Sequence, residues 1–212
     1  MAYPRLHISF ASGSSVAAVL LRGPSDWFCL ARWDTAVDEV ELGAWFHGMI
    51  YSDRCSISPN GKLFSYLAAK HGGNFGGDEC NAWIAISRPP WLTAIGFWPA
   101  YGTQGYSTDF LHNSSVLVTH PHWEELLTDR ELPASFEIVS NYSGRGAPEQ
   151  DAPPLCKSSA FYRDNHGVDQ HERSFDYFDG KLRRESIVFA DFANIKPDPQ
   201  PAPDWARRWP IV

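Results

Sequence analysis

Five of the eight histidines have neighbours and spacings that could support metal chemistry. They are His112, His120, His122, His166 and His171. His120 and His122 are two residues apart, and Glu172 follows His171, so imidazole and carboxylate groups occur together, as in zinc and non-haem metal sites. The spacing matches no strong zinc signature, and the His-Glu-x-x-His motif is absent. The pattern therefore favours solvent-facing loop histidines and leaves a metal-assisted hydrolase as the alternative function.

The other catalytic patterns are incomplete. The chain has no Gly-x-Ser-x-Gly nucleophile elbow, and no base lies near Cys55 in the sequence, which indicates a packed thiol. A glycine-rich run over residues 71–79 could cradle a phosphate through backbone N–H groups. It lacks the Gly-Lys-Ser/Thr ending of a P-loop, and Asp78 and Glu79 would repel an anion, so a surface loop is favoured. The sequence therefore assigns no catalytic residue and implies no cofactor.

Four aromatic residues are candidates for a binding surface. They are Trp83, Trp91, Trp98 and Tyr101, which lie on or next to predicted strands. Large aromatic side chains at strand positions more often belong to the core, and that interpretation is preferred.

The element around which the chain is organised is a predicted hairpin over residues 54–68. Asn60-Gly61 predicts a type I′ turn, because that turn needs a positive φ at both central residues. Pro59 belongs at the strand end, since it has no N–H to donate. In the strand that follows, Leu63, Ser65 and Leu67 share one face, and Phe64, Tyr66 and Ala68 share the other. Both faces are mostly apolar, which predicts a strand covered on two sides.

The segment Ser58-Pro59-Asn60-Gly61-Lys62 and its aromatic-rich strand resemble the "SPDGK" hairpin of β-propeller repeats, as found in TolB-like and WD40-like blades. Asn60 stands where those repeats often carry Asp. Asp179-Gly180-Lys181-Leu182 repeats the same turn chemistry about 120 residues later. The resemblance implies blade-like hairpins. In those repeats the motif is structural, so it assigns no catalytic residue.

The remaining chain predicts short strands separated by turns, which favours an all-β meander over a helical fold. The predicted strands cover residues 6–10, 16–22, 26–34, 39–42, 44–51, 82–87, 91–98, 107–111, 115–119, 135–140, 159–163, 172–178 and 182–192. Pro99 is expected to end the strand over 91–98. A short helix is predicted from Thr119 or His120 to before Pro133, and a helical turn over 204–209.

The fold class predicted from these elements is all-β, a meander of short antiparallel strands. It is propeller-like, as a small or partial propeller, with a β-sandwich as the alternative. A blade takes roughly 40–45 residues, so 212 residues have room for four or five at most. We expect one domain over residues 1–212, with a long loop at 141–154. Open sheet edges in a partial propeller could also support an oligomer.

The chain is acidic, with 18 basic and 25 acidic residues and a formal net charge of −7. This charge argues against a general nucleic-acid binder and favours a basic protein partner. No segment predicts a signal peptide or membrane span, so a soluble, cytoplasmic protein with free cysteines is expected. These features favour a protein-binding module. An antitoxin or immunity-type inhibitor, of the kind made by bacteria, is one such role.

Overall fold

The computed structural model describes residues 3–23, 26–70, 81–121, 132–142, 159–162 and 165–210. In chain order these residues form β1 (Arg5–Phe10), β2 (Val16–Arg22), β3 (Trp27–Asp34), β4 (Glu39–His47), β5 (Met49–Ile50), β6 (Ser56–Ile57), β7 (Phe64–Ala69), β8 (Ala82–Ser87), β9 (Gly96–Ala100), β10 (Ser107–His112), β11 (Ser115–His120), β12 (Glu137–Tyr142), β13 (Ser159–Tyr162), β14 (Asn165–Val168), β15 (Ser174–Phe178), β16 (Lys181–Arg184) and β17 (Ile187–Asp191). Two 3-10 turns cover Ser52–Arg54 and Asp204–Arg207. The predicted all-β meander is confirmed.

The strands form four sheets. The first has the order β13-β1-β2-β3-β4, the second joins β5 and β6 to β7, β8 and β9, the third is β10-β11-β12, and the fourth is β14-β15-β16-β17. Neighbouring strands are antiparallel except β11 and β12, which are parallel. Within each sheet the strands follow one another along the chain, apart from β13, which returns to pair with β1.

The four sheets stack face to face in the order fourth, first, second, third. Alternate side chains of β2 show why, because Ala17, Val19 and Leu21 pack toward the fourth sheet and Val16, Ala18 and Leu20 toward the second. The strand β7 is likewise covered twice, with Phe64 and Tyr66 toward the first sheet and Leu67 toward the third. Strands buried on both faces read as continuous apolar runs, as predicted for the central hairpin.

The turn of the central hairpin differs from the predicted type I′ form. Gly61 has φ +70°, but Asn60 does not have a positive φ. The Gly61 N–H donates to Ser58 O at 2.8 Å, and the Asn60 carboxamide oxygen accepts the Lys62 N–H at 3.0 Å. This side-chain hydrogen bond stabilises the turn without the positive φ at Asn60 that a type I′ turn would need. The two-residue loop Asp179-Gly180, with φ +54° and +77°, does have the two positive φ angles that a type I′ turn requires.

Two strand predictions are corrected by the structure. The predicted single strand over 182–192 is the hairpin β16–β17, turned by Glu185 and Ser186 at φ +50° and +70°. The pair lacks the Gly, Asn or Asp that favours a positive φ, so the sequence gives only a weak signal for this turn. Of the predicted strand over 91–98, only residues 96–98 are in a strand, β9, which continues through Pro99, paired with Trp83, to Ala100. Proline is tolerated there because β9 is the last described strand of its sheet.

Only part of the predicted helix and of the predicted loop lies within the described residues. Thr119 and His120 belong to β11, and residues 122–131 of the predicted helix lie outside the described residues. The predicted turn near the C-terminus is confirmed as Asp204–Arg207. Asn141 and Tyr142 belong to β12, whereas residues 143–154 of the predicted loop and the glycine-rich run over 71–79 lie outside the described part. Among the described helical segments, none is long and apolar enough to cross a membrane.

Candidate functional site

Two edge strands lie side by side on the outside of the stack. Within the described chain, β4 is the last strand of the first sheet and β17 is the last strand of the fourth. The two strands contact each other where the sheets pack. An edge strand presents backbone N–H and C=O groups that can pair with another chain. The Ala44 N–H of β4 already donates to Pro90 O at 2.9 Å, so the part of this edge left for an added strand is residues 39–42. These residues and β17 form a surface on which an extended segment could add a strand.

This surface exposes apolar side chains. Ile187 is 70% exposed, Val188 46% and Leu42 46%, and Val37 in the β3–β4 turn is 63% exposed. An ion pair between Arg184 and Asp38 holds the β3–β4 turn against the β16–β17 hairpin. It brings the turn that contains Val37 close to Ile187, the cross-strand partner of Arg184. Apolar groups that cluster on an otherwise polar surface indicate an interaction site.

Three glutamates lie on the same two elements as these apolar side chains. Glu39 and Glu41 alternate with Val40 and Leu42 along β4, so they extend from the opposite face of that strand, and Glu185 lies in the β16–β17 turn. All three are exposed, and within the described part of the chain none has an ion pair. Arg32 lies opposite Glu41 on β3 but forms no such pair with it. We refer to Val37, Glu39, Glu41, Leu42, Glu185, Ile187 and Val188 together as the edge surface.

A buried charge network fixes the edge surface to the core. Arg184 donates to the two carboxylate oxygens of Asp38 at 2.7 and 2.9 Å and to Asp169 at 2.9 Å. The Asp169 side chain is fully buried, and the Arg184 side chain is 14% exposed. Burial raises the pKa of Asp169, but hydrogen bonds from the backbone N–H groups of Arg173 and His171 lower it. Together with the nearby guanidinium charges, they hold the pKa of Asp169 below its usual range.

Aromatic packing also fixes β17 to the core. The Trp33 ring stacks on Phe189 at 5.2 Å and meets the edge of Phe175 at 5.2 Å. The Arg184 guanidinium carbon lies 5.9 Å from the Trp33 ring, and the Trp33 indole N–H donates to Asp38 at 3.3 Å. The same tryptophan thus joins the core, the charge network and β17.

The candidate histidines are dispersed. His112 is exposed, with Nδ1 3.3 Å from the Ser114 hydroxyl, and buried His120 has Nε2 2.6 Å from the Ser140 hydroxyl. His166 bonds to Asp176 on the fourth sheet, His171 is exposed there, and His122 lies outside the described residues. In the described ranges no three His, Cys, Asp or Glu side chains are grouped as metal ligands. The structure thus offers no geometric support for metal-assisted hydrolysis in those ranges.

The candidate aromatics do not share a surface. Trp98 is fully buried between the second and third sheets, while Trp83 packs on the opposite face of the second sheet, stacked on Phe97 at 6.3 Å. Trp91 is half-buried, and Tyr101 is 59% exposed. Trp98 is thus a core residue, and a binding role for the others stays a prediction.

The thiol at Cys55 is buried, as predicted. Burial raises the pKa of this thiol, and the negative charge of Asp53 raises it further, so it is protonated at neutral pH. Burial also raises the pKa of Cys29, to about 12. Neither described cysteine has the properties of a nucleophile.

No protein-family model matches the chain, and neither the curated proteins nor the solved structures include a significant match. Function is therefore inferred from the chain's own residues. Sequence reasoning missed the edge surface because the β16–β17 turn lacks the Gly, Asn or Asp that usually marks a two-residue hairpin turn. The alternation Glu39-Val40-Glu41-Leu42 is the one pattern that could have indicated an exposed acidic strand.

Proposed function

We propose that the protein is a binding module whose edge surface receives an extended, basic segment of another protein. The observation that carries this proposal is the adjacency of β4 and β17, each the last described strand of its sheet. They combine exposed apolar side chains with three glutamates that have no ion pair among the described residues. Strand addition supplies affinity through main-chain hydrogen bonds, and alternate side chains supply specificity.

Charge favours a basic partner over a second copy of this chain. Contact between two edge surfaces would bring Glu39, Glu41 and Glu185 of each copy together, and like charges across an interface disfavour association. The net charge of −7 attracts a basic protein over a longer range and raises its association rate. Inhibition of a basic partner, as by an antitoxin or immunity-type protein, is the form of this function that the charge supports best.

Two valines of the fourth sheet allow a matched test. Val188 lies on the edge strand β17 and Val168 on the opposite edge strand β14, and they are 46% and 54% exposed. A ten-residue peptide alternating Lys and Val serves as the basic strand probe, and its Glu-Val counterpart as the acidic one. We expect Val188→Arg to weaken binding of the Lys-Val peptide at least tenfold by fluorescence anisotropy, and Val168→Arg to change it less than twofold.

The same pair of variants identifies the natural partner. A protein retained from host lysate by the wild type and by Val168→Arg, but lost with Val188→Arg, should be basic, and its purified form should bind with the same variant dependence. Equal behaviour of the two variants, or equal binding of the acidic and basic peptides, would contradict the proposal. Light scattering should give a monomer, and a dimer broken by Val188→Arg would favour a second copy instead.

A further inference from the structure

A second candidate site lies between the first and second sheets, away from the edge surface. A cavity of about 340 Å³ opens there, with β1, β2 and β3 on one side and residues 49–53 on the other. Its inner wall is apolar, formed by the buried side chains of Leu20, Phe28 and Ile50. A concave, mostly apolar site of this size fits a small organic ligand.

Two arginines stand directly opposite each other at this cavity. Arg5 on β1 pairs with Arg22 on β2, and cross-strand partners extend from the same face of a sheet. Both are exposed, and in the described part of the chain neither has an ion pair with a carboxylate. The Arg22 guanidinium carbon lies 5.7 Å from the Phe28 ring. Like charges directly opposite on neighbouring strands destabilise a sheet. An anion bound between the two guanidinium groups would relieve this repulsion.

The other polar groups of the cavity are compatible with an anion. His7 follows Arg5 on the same face and is buried. Burial lowers the pKa of His7 to about 4, although the charge of Asp53 opposes this, so the imidazole is neutral at pH 7 and can serve as a hydrogen-bonding group. Among the described lining residues Asp53 is the one carboxylate, and its Oδ2 lies 3.9 Å from Nε of Arg54. Arg54 thus partly offsets the negative charge of Asp53.

We propose that this cavity binds a small amphipathic anion. Arg5 and Arg22 hold its carboxylate or phosphate group, because two guanidinium groups offer planar donors that match such oxygens. The ring or chain of the ligand lies against Phe28 and Leu20. Neither arginine belongs to the edge surface, so the site is independent of the proposed partner binding.

Four benzene derivatives of similar size separate the effect of the anionic group from that of the apolar ring. Phenyl phosphate and phenylacetate carry the two anionic groups, and benzyl alcohol and benzylamine are the neutral and cationic controls. By titration calorimetry we expect one or both anions to bind and the two controls not to bind. Which anion binds more tightly distinguishes a phosphate ligand from a carboxylate ligand.

Arginine variants test the assigned residues. Arg5→Gln and Arg22→Gln should each weaken anion binding at least fivefold, whereas Arg207→Gln, which removes the same charge from the C-terminal segment, and Val188→Arg should change it less than twofold. Without ligand, Arg5→Gln should raise Tm by about 1–2 °C, because it relieves the like-charge pair and leaves the Arg22–Phe28 contact in place. No binding of either anion at 5 mM, equal binding of the neutral probe, or wild-type affinity in both pocket variants would overturn the proposal.

Discussion

At the scale of single residues, Arg184 is the side chain on which the edge surface most depends. Its guanidinium bridges Asp38 in the first sheet and Asp169 in the fourth. Removing one member of a buried ion pair leaves the other charge without its partner, which costs far more than an exposed pair is worth. Lys181 and Asp191 offer the comparison, since they are 3.3 Å apart with side chains 35% and 50% exposed.

We therefore expect Arg184→Met to lower the free energy of unfolding by roughly 3 kcal/mol. Lys181→Met should lower it by less than about 1 kcal/mol, because solvent screens that pair. Urea unfolding followed by tryptophan fluorescence measures both values. Equal losses would show that the Arg184 network contributes no more than a surface pair.

At the scale of elements, the turn of the central hairpin packs closely against the first sheet at Gly61. A Cβ at Gly61 would lie 2.5 Å from the Val16 Cβ, and Gly61 has φ +70°. Gly105 has nearly the same φ, +77°, but its nearest neighbour would be the Pro121 side chain at 3.1 Å. A side chain at either position would therefore pay the conformational cost of a positive φ, but the steric clash would be more severe at Gly61.

We expect Gly61→Ala to destabilise the protein by about 1–2 kcal/mol more than Gly105→Ala. Both variants carry the strain of a left-handed alanine, roughly 1–2 kcal/mol, but only Gly61→Ala must displace a buried strand residue. Thermal unfolding monitored by circular dichroism gives the comparison. Similar Tm values for the two variants would mean that the hairpin shifts away from Val16 without cost.

The sequence predicted elements where local chemistry decides them. Asp179-Gly180 forms its two-residue turn, and β7 is covered on both faces, because turn residues and apolar alternation act within a few positions. It failed at Glu185-Ser186, where the turn is formed by two residues that seldom adopt a positive φ. The edge surface was missed for the same reason, since β17 became visible only when that turn was found.

At the scale of the whole molecule, four sheets share three apolar interfaces. The C-terminal segment crosses this stack, since Ile195 packs on the core between the fourth and first sheets and Trp209 contacts Phe136 at the third. Between them, Arg88 of the second sheet donates to Trp205 O at 2.6 Å. Face-to-face sheets formed by consecutive strands suit blade-like repeats, and the propeller-repeat resemblance itself stays a prediction. The stacking order depends on contacts far apart in the chain, which the sequence pattern did not predict.

The stack should also lose stability in mild acid through one buried group. His7 lies at the interface of the first and second sheets, where burial, opposed by the charge of Asp53, lowers its pKa from 6.5 to about 4. The unfolded chain therefore binds this proton at a higher pH than the folded chain does. The contribution of neutral His7 to stability is complete above pH 6.5 and is lost progressively as the pH falls toward 4.

We expect the free energy of unfolding to fall by about 3 kcal/mol more between pH 7 and pH 4 in the wild type than in His7→Gln, since one pKa unit corresponds to about 1.4 kcal/mol. Glutamine fills a similar space and does not titrate, so it removes this proton linkage while every other group still contributes. Urea unfolding of both proteins at half-unit pH steps measures the difference. Parallel pH profiles would show that His7 is as accessible to protons in the folded chain as in the unfolded one, and that the sheets part at this interface without unfolding.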